Sequence, residues 1–192
     1  MEKISNLISN PVVTVELDEV FIKIKKALNA PFTPNFFKVW GVSPESLKGI
    51  WPVMDNILTG GNVDRKLKEM IFVAISSLKE CHYCEAAHHA FCLSIGVTPS
   101  QIEDLINNHT CEAEDKIKEA INYAVKLAKN SSSGTQEDFD NLIVLGYSES
   151  DVMEIIAMSS MAVFYNHLAN ATKINIDSGF TKILESKKMT SV

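Results

Sequence analysis

The chemistry-bearing stretch of this chain is Cys81-His82-Tyr83-Cys84-Glu85-Ala86-Ala87-His88-His89. On a helix turning about 100° per residue, Cys81, Cys84 and His88 fall within roughly 60° of one face. His82 and Tyr83 flank that face and His89 points elsewhere. If the stretch opens a helix, the unpaired N–H groups and the dipole of the first turn favour an anion, which lowers a thiol's pKa there. The thiolate is the form that attacks a peroxide or a disulfide. Cys84 lies one turn before His88 and can share a proton with it, and Cys81 is near enough to close a disulfide once Cys84 is oxidised. Three readings stay open at this point. The pair is a redox dithiol, in which one cysteine becomes a sulfenic acid and the other resolves it. Or Cys81, Cys84 and His88 hold zinc with His82, His89 or Cys111 as a fourth ligand, although no second CxxC or HxxxH pair completes a tetrahedral set. Or the cysteines are small packing residues. A thioredoxin-type site would place its CxxC after a β-strand, and the flanks here are helical.

The elements that must position these residues follow from periodicity. Apolar residues recur at helical spacing in Val20, Ile24, Ala27 and Leu28; in Leu47, Ile50, Trp51, Met54, Ile57 and Leu58; in Leu67, Ile71, Ala74, Ile75 and Leu78; in Ile117, Ile121, Ala124, Val125 and Ala128; and in Val152, Ile155, Ile156 and Ser159. Alternation is confined to VVTVEL near residue 12, which reads as a short extended segment. Gly41-Val42-Ser43-Pro44-Glu45, Gly96-Val97-Thr98-Pro99-Ser100 and Gly146-Tyr147-Ser148-Glu149-Ser150 repeat one punctuation: a glycine suited to positive φ past a helix end, then a Ser or Thr N-cap. The fold class is all-α. Asp64 to His88 and Asp151 to Ala171 also echo each other, as two related helical lobes would. Glu69, twelve residues before Cys81, reads by periodicity as a solvated charge beside Lys66 and Lys68. On one continuous helix it would lie roughly 20 Å from Cys84, so the two meet only if the chain reverses near Lys79-Glu80.

Composition narrows the function. The 192 residues are 46% hydrophobic and 22% charged, enough to build a core, and 24 acidic against 18 basic side chains leave a net charge of −6. Arg65 is the sole arginine. A phosphate-binding surface wants a basic excess and arginine forks, so nucleic acid is excluded as a partner. The N-terminus has no apolar core of a secretory signal, and the apolar run Ile155 to Tyr165 is too short to span a bilayer, so the expectation is a soluble, cytoplasmic protein without a membrane partner. Four cysteines are too few and too unevenly spaced for a secreted disulfide scaffold. Cys92 and Cys111, outside the motif, read as buried small hydrophobes.

Asp64-Arg65-Lys66-Leu67-Lys68-Glu69-Met70-Ile71, followed by Cys81 to His88, resembles the signature of the alkylhydroperoxidase D-like (AhpD-like) family of the carboxymuconolactone decarboxylase superfamily, in its peroxidase-related members. The pattern is a glutamate, eleven residues, then C-x-x-C-x-x-x-H. Pro34 to Val39 and Ser43-Pro44-Glu45 resemble the family's lead-in, and Phe164 to Ala169 its C-terminal helix, so the similarity runs over residues 30–172. The resemblance implies one AhpD-like helical domain over residues 1–192, with a CxxC-bearing half at about 30–108 and a second half at about 109–175. It implies a hydroperoxide substrate, Cys84 as peroxidatic and Cys81 as resolving cysteine, and Glu69 with His88 as a proton relay, with no cofactor and no metal. It further implies a lipoyl or thioredoxin-like dithiol reductant and a homo-oligomer, trimer or hexamer. Tyr83 stands where some family peroxidases carry a histidine, with His82 one position earlier, and His167 is a candidate second imidazole. Two rivals remain: a cofactor-free, decarboxylase-like lyase, and a redox-sensing or zinc-holding module that is not an enzyme.

Overall fold

The amphipathic stripes fold as helices in a computed structural model, which describes residues 3–188. Among these residues there is no strand, only an isolated antiparallel bridge between Ser5 and Ile174. The helices are α1 (Val15–Leu28), α2 (Asn35–Trp40), α3 (Pro44–Met54), α4 (Arg65–Leu78), α5 (His82–Ser94), α6 (Pro99–Asn108), α7 (Asp115–Lys129), α8 (Gln136–Val144), α9 (Glu149–Thr172) and α10 (Ser178–Lys188). The all-α expectation holds. VVTVEL is not an extended segment: Thr14 caps α1 through its hydroxyl, which accepts the Leu17 N–H, and Val15 already begins the helix.

Two of the three punctuation marks work as read. Gly96 and Gly146 sit at φ of +81° and +91°, and Thr98 and Ser148 close capping boxes with Gln101 and Asp151. The first differs. Gly41 is right-handed, at φ −62°, and its Cβ position lies 3.0 Å from the Phe21 ring, so a side chain there would press on α1. Ser43 pairs its hydroxyl with Ser46 instead of a backbone N–H.

Helix α4 is the axis of the fold. It touches α5, α6, α7 and α9, and every residue from Leu67 to Ser76 is buried. A helix surrounded by protein should be apolar all round, yet this one carries Lys68 and Glu69 inside, and each must be paired to be tolerated. Lys68 gives its ammonium to the Gly60 carbonyl at 2.5 Å and to Glu154 of α9 at 3.0 Å. Glu154 also accepts the Asn62 and Val63 N–H groups, so the loop ahead of α4 is tied down on α9.

After Leu78 the chain reverses within three residues. The Glu80 N–H reaches the Ser77 carbonyl and the Cys81 N–H the Ser76 carbonyl, with Glu80 left-handed at φ +52°. This is the reversal at Lys79-Glu80 that the separation of Glu69 from Cys84 required, and it lays α5 back along α4. The internal echo is built unevenly: Asp64 to His88 spans two helices and this turn, while Asp151 to Ala171 lies in one uninterrupted helix, α9. Helix α9, 24 residues long, is long and apolar enough to cross a membrane by length and composition alone, a test that the core helix of a soluble protein also passes; half of its most apolar window is buried inside the bundle. Its polar groups dock on the bundle: Ser159 to the Ala124 carbonyl, Tyr165 to the Ile50 carbonyl, and Asn166 to the Ser76 hydroxyl.

The exposed Glu80 holds a conformation that costs a non-glycine residue roughly 1 kcal/mol, partly offset by glycine's larger unfolded-state entropy. Glu80→Gly is therefore expected to stabilise the protein by about 0.5 kcal/mol in urea or thermal unfolding. A loss of stability would show that the turn is held by the side chain instead.

Candidate active site

Glu69 is fully buried where α4 faces α5. A lone carboxylate would not stay ionised there, but two partners hold it. Arg65, one turn earlier, donates from Nε and Nη2 to Oε1 at 2.7 and 2.5 Å, and His88 Nδ1 faces Oε2 at 2.5 Å. Burial pulls the carboxyl's pKa upward, and the charges and hydrogen bonds of His88 and Arg65 overcome it, leaving Glu69 below the usual carboxylate range. The periodicity reading of a solvated charge is thus wrong, because the side that faces Lys66 and Lys68 along the helix is covered by other helices. The imidazole is fixed in plane as well, stacked on Phe72 with ring centroids 3.5 Å apart and 12° between planes. With Nδ1 committed to the carboxylate, Nε2 is the nitrogen left for chemistry.

The dithiol sits one turn away. Cys81 is the N-cap of α5, and its sulfur accepts the Cys84 N–H at 3.4 Å, while the Cys84 sulfur lies 4.0 Å from the Tyr165 carbonyl. Both are free thiols. They are pushed in opposite directions. A hydrogen bond from the Cys84 thiol lowers the Cys81 pKa, against burial and with help from the Cys84 and Tyr83 N–H groups. Burial raises Cys84 well above an ordinary thiol, and its bond to Cys81 and the charge there add to the effect. Of the two, Cys81 is the thiol whose surroundings favour the anion, and Cys84 the one whose surroundings disfavour it.

Cys84 and His88 line the same cavity of about 30 Å³. Its other walls are Leu28, Pro34, Phe36, Phe37, Met54, Phe72, Tyr83, Ala87, Phe91, Tyr165 and Phe180, an almost wholly apolar lining. Cys81 is sealed behind Cys84 and does not reach it.

Residues 44–130 match the Carboxymuconolactone decarboxylase family, a stretch that contains Arg65, Glu69, Cys81, Cys84 and His88. That match spans a little under half of the chain and marks a segment similar to the family's members. Solved structures share the fold across nearly its whole length. A peroxidase-related protein of Ralstonia eutropha JMP134, described as an alkylhydroperoxidase AhpD core, has a TM-score of 0.84 at 22% identity, covering 94% of this chain and 96% of its own. A peroxidase-related protein of Silicibacter sp. TM1040 gives 0.82 at 21%, covering 94% and 95%. The debrominase Bmp8 gives 0.75 at 21%, covering 92% and 95%, and a cysteine-to-alanine variant of it has been solved with 2,3,4-tribromopyrrole. No functionally curated protein matches the chain significantly.

Within this AhpD-like frame, Glu69, Cys81, Cys84 and His88 come together, and three other candidates do not join them as imidazoles or acids. His82 and His167 are exposed and line no part of the cavity. Tyr83 lines it but is engaged as a strut: its hydroxyl donates to Asp177 and accepts the Phe36 N–H, both at 3.0 Å, and burial pushes its phenol well above the ordinary value. Cys92 and Cys111 are buried thiols, as expected, with pKa values raised by burial. Among the described residues no three His, Cys, Asp or Glu side chains are placed to hold a metal ion. Sequence reasoning missed Arg65, Asp177 and Phe180 as parts of the site. The scarcity of arginine was the one signal that could have pointed to Arg65.

Titrating thiolate absorbance near 240 nm tests the electrostatics. The wild type is expected to gain its first thiolate below the ordinary thiol value of 9.0, and Cys84→Ala to shift that step upward, since Cys81 loses its donor. Cys81→Ala should abolish the low step, because Cys84 alone titrates high. A low step surviving in Cys81→Ala would place the thiolate elsewhere.

Proposed function

We propose that this protein is a dithiol peroxidase that reduces a hydroperoxide at Cys84 and passes through a Cys81–Cys84 disulfide. The observation that carries the reading is the shared cavity: Cys84 and His88 line one small space, His88 is backed by the Glu69 carboxylate, and Cys81 waits behind Cys84 in hydrogen-bond contact.

The steps follow from that arrangement. The reactive state has Cys81 as thiolate, Cys84 as thiol and His88 protonated against Glu69. As the Cys84 sulfur attacks the distal peroxide oxygen, its proton passes to Cys81. The O–O bond breaks, an S–O bond forms, and the departing alkoxide or hydroxide takes a proton from His88 Nε2 and leaves as alcohol or water. Cys84 is then a sulfenic acid. The Cys81 sulfur displaces its hydroxide, which leaves as water with the proton Cys81 had received. A lipoyl or thioredoxin-like dithiol returns two electrons and two protons by disulfide exchange, which suits a reducing cytoplasm. A homo-oligomer belongs to this reading through the family resemblance.

The lyase reading fits the site less well. An anionic substrate needs an unpaired cation, and Arg65, the sole arginine, is spent on Glu69, as is His88, while the cavity walls carry no lysine. A bromopyrrole such as the debrominase variant holds is far larger than the space of about 30 Å³ beside Cys84.

With hydrogen peroxide, Cys81→Ser is expected to accumulate a sulfenic acid at Cys84, formed more slowly than the wild-type disulfide because the proton acceptor is gone and read as one added oxygen on the Cys84 peptide; Cys84→Ser should lose both that oxygen and turnover. Equal oxygen uptake at this site in wild type and Cys84→Ser would sink the assignment. Separately, Glu69→Gln should lower kcat/KM with hydrogen peroxide about 10²-fold in a peroxide-consumption assay reduced by dihydrolipoamide. An unchanged rate would remove Glu69 from the relay.

A further inference from the structure

The small cavity beside Cys84 has an aromatic wall, and the last helix carries part of that wall in Phe180, which we treat as a lid. Phe180 of α10 is 2% exposed and packs edge-on against Phe32 and Phe91, with centroids 5.0 and 5.6 Å away; Phe91 in turn leans on His88 at 5.9 Å. Asp177, just before α10, fastens the helix down. Its carboxylate accepts the Asn35 N–H at 3.0 Å and the Tyr83 hydroxyl at 3.0 Å, so one buried group ties α10 to both α2 and α5, one residue from Cys84. Gly179 permits the close seat: a Cβ there would come 2.1 Å from the Phe32 ring.

The space left beside it is about 30 Å³, room for roughly two water molecules. Its hydrogen-bonding groups are few. The hydroxyls of Tyr83 and Tyr165 are already committed, to Asp177 and to the Ile50 carbonyl. An uncharged molecule of two or three heavy atoms is what such a space admits. Building on the peroxidase reading, we propose that Phe180 is a specificity-determining residue that sets the size of the hydroperoxide reaching Cys84. With α10 latched by Asp177, the site takes hydrogen peroxide; an organic hydroperoxide reacts only as α10 lifts and Phe180 swings away.

The test compares rate constants for oxidation of Cys84 by hydrogen peroxide and by cumene hydroperoxide in the wild type, Phe180→Ala and Gly179→Ala. The second substitution crowds Phe32 and unseats α10 without changing a cavity wall. In both variants the cumene-to-hydrogen-peroxide ratio is expected to rise about tenfold, the scale on which a pocket discriminates by size. A parallel arm needs no peroxide chemistry: labelling of Cys84 by iodoacetamide and by a bulky N-aryl maleimide, read by peptide mapping, should show the same shift toward the larger reagent. Circular dichroism confirms that each variant is folded, and Phe180→Leu replaces Phe180→Ala if that one is not. Unchanged ratios in both arms overturn the gate. A shifted labelling ratio with no peroxide consumed by any variant would leave the gate standing as a size filter and overturn the peroxidase reading instead.

Discussion

A carboxylate buried at the centre of a helical bundle is tolerated only if something charged meets it, and the geometry of this protein follows from how Glu69 is met. Arg65 sits one turn back on the same helix and neutralises one oxygen, while His88 comes from the neighbouring helix to the other. For His88 to arrive there, α5 must run back along α4, which requires the three-residue reversal through Glu80. That reversal in turn places Cys81 at the helix cap and Cys84 one turn before His88 on the inner face. The lone carboxylate thus ties together the arginine, the turn, the imidazole tautomer and the position of the dithiol. Removing it would leave Arg65 and His88 facing each other with nothing between them.

The same logic separates two cysteines that the sequence presents as near equals. One is a cap, where backbone N–H groups and a neighbouring thiol favour its anion; the other is walled by apolar side chains, where the anion is disfavoured. The surroundings thus favour the anion on the thiol that does not line the cavity and disfavour it on the thiol that does. In the peroxidase reading, a single proton moved between adjacent sulfurs would convert one state to the other.

Local patterns carried much of this. Helical periodicity gave the all-α class, glycine and cap residues placed the breaks at Gly96 and Gly146, and the i, i+3, i+7 spacing of Cys81, Cys84 and His88 put them near one another. Where the physics is non-local, the pattern was silent or misleading. Periodicity assigned Glu69 to solvent, because burial of that side of α4 depends on helices distant in sequence; only the family resemblance pointed to its role. Gly41 looked like a helix-ending turn, yet it is right-handed and lies close against Phe21. His167 shares a segment with Asn166 and Tyr165 but points outward from α9. Asp177 and Phe180 lie about a hundred residues after the motif and carry no signature, so their place over Cys84 could not be read from the chain.

The central claim is that Cys84 reacts and Cys81 resolves within one site. Its most direct test is the intact mass and disulfide map of reduced protein after one equivalent of hydrogen peroxide. The account predicts the loss of two hydrogen atoms and a peptide linked between Cys81 and Cys84, with Cys92 and Cys111 still reduced. Addition of oxygen at Cys92 or Cys111, or full retention of four thiols, would contradict it.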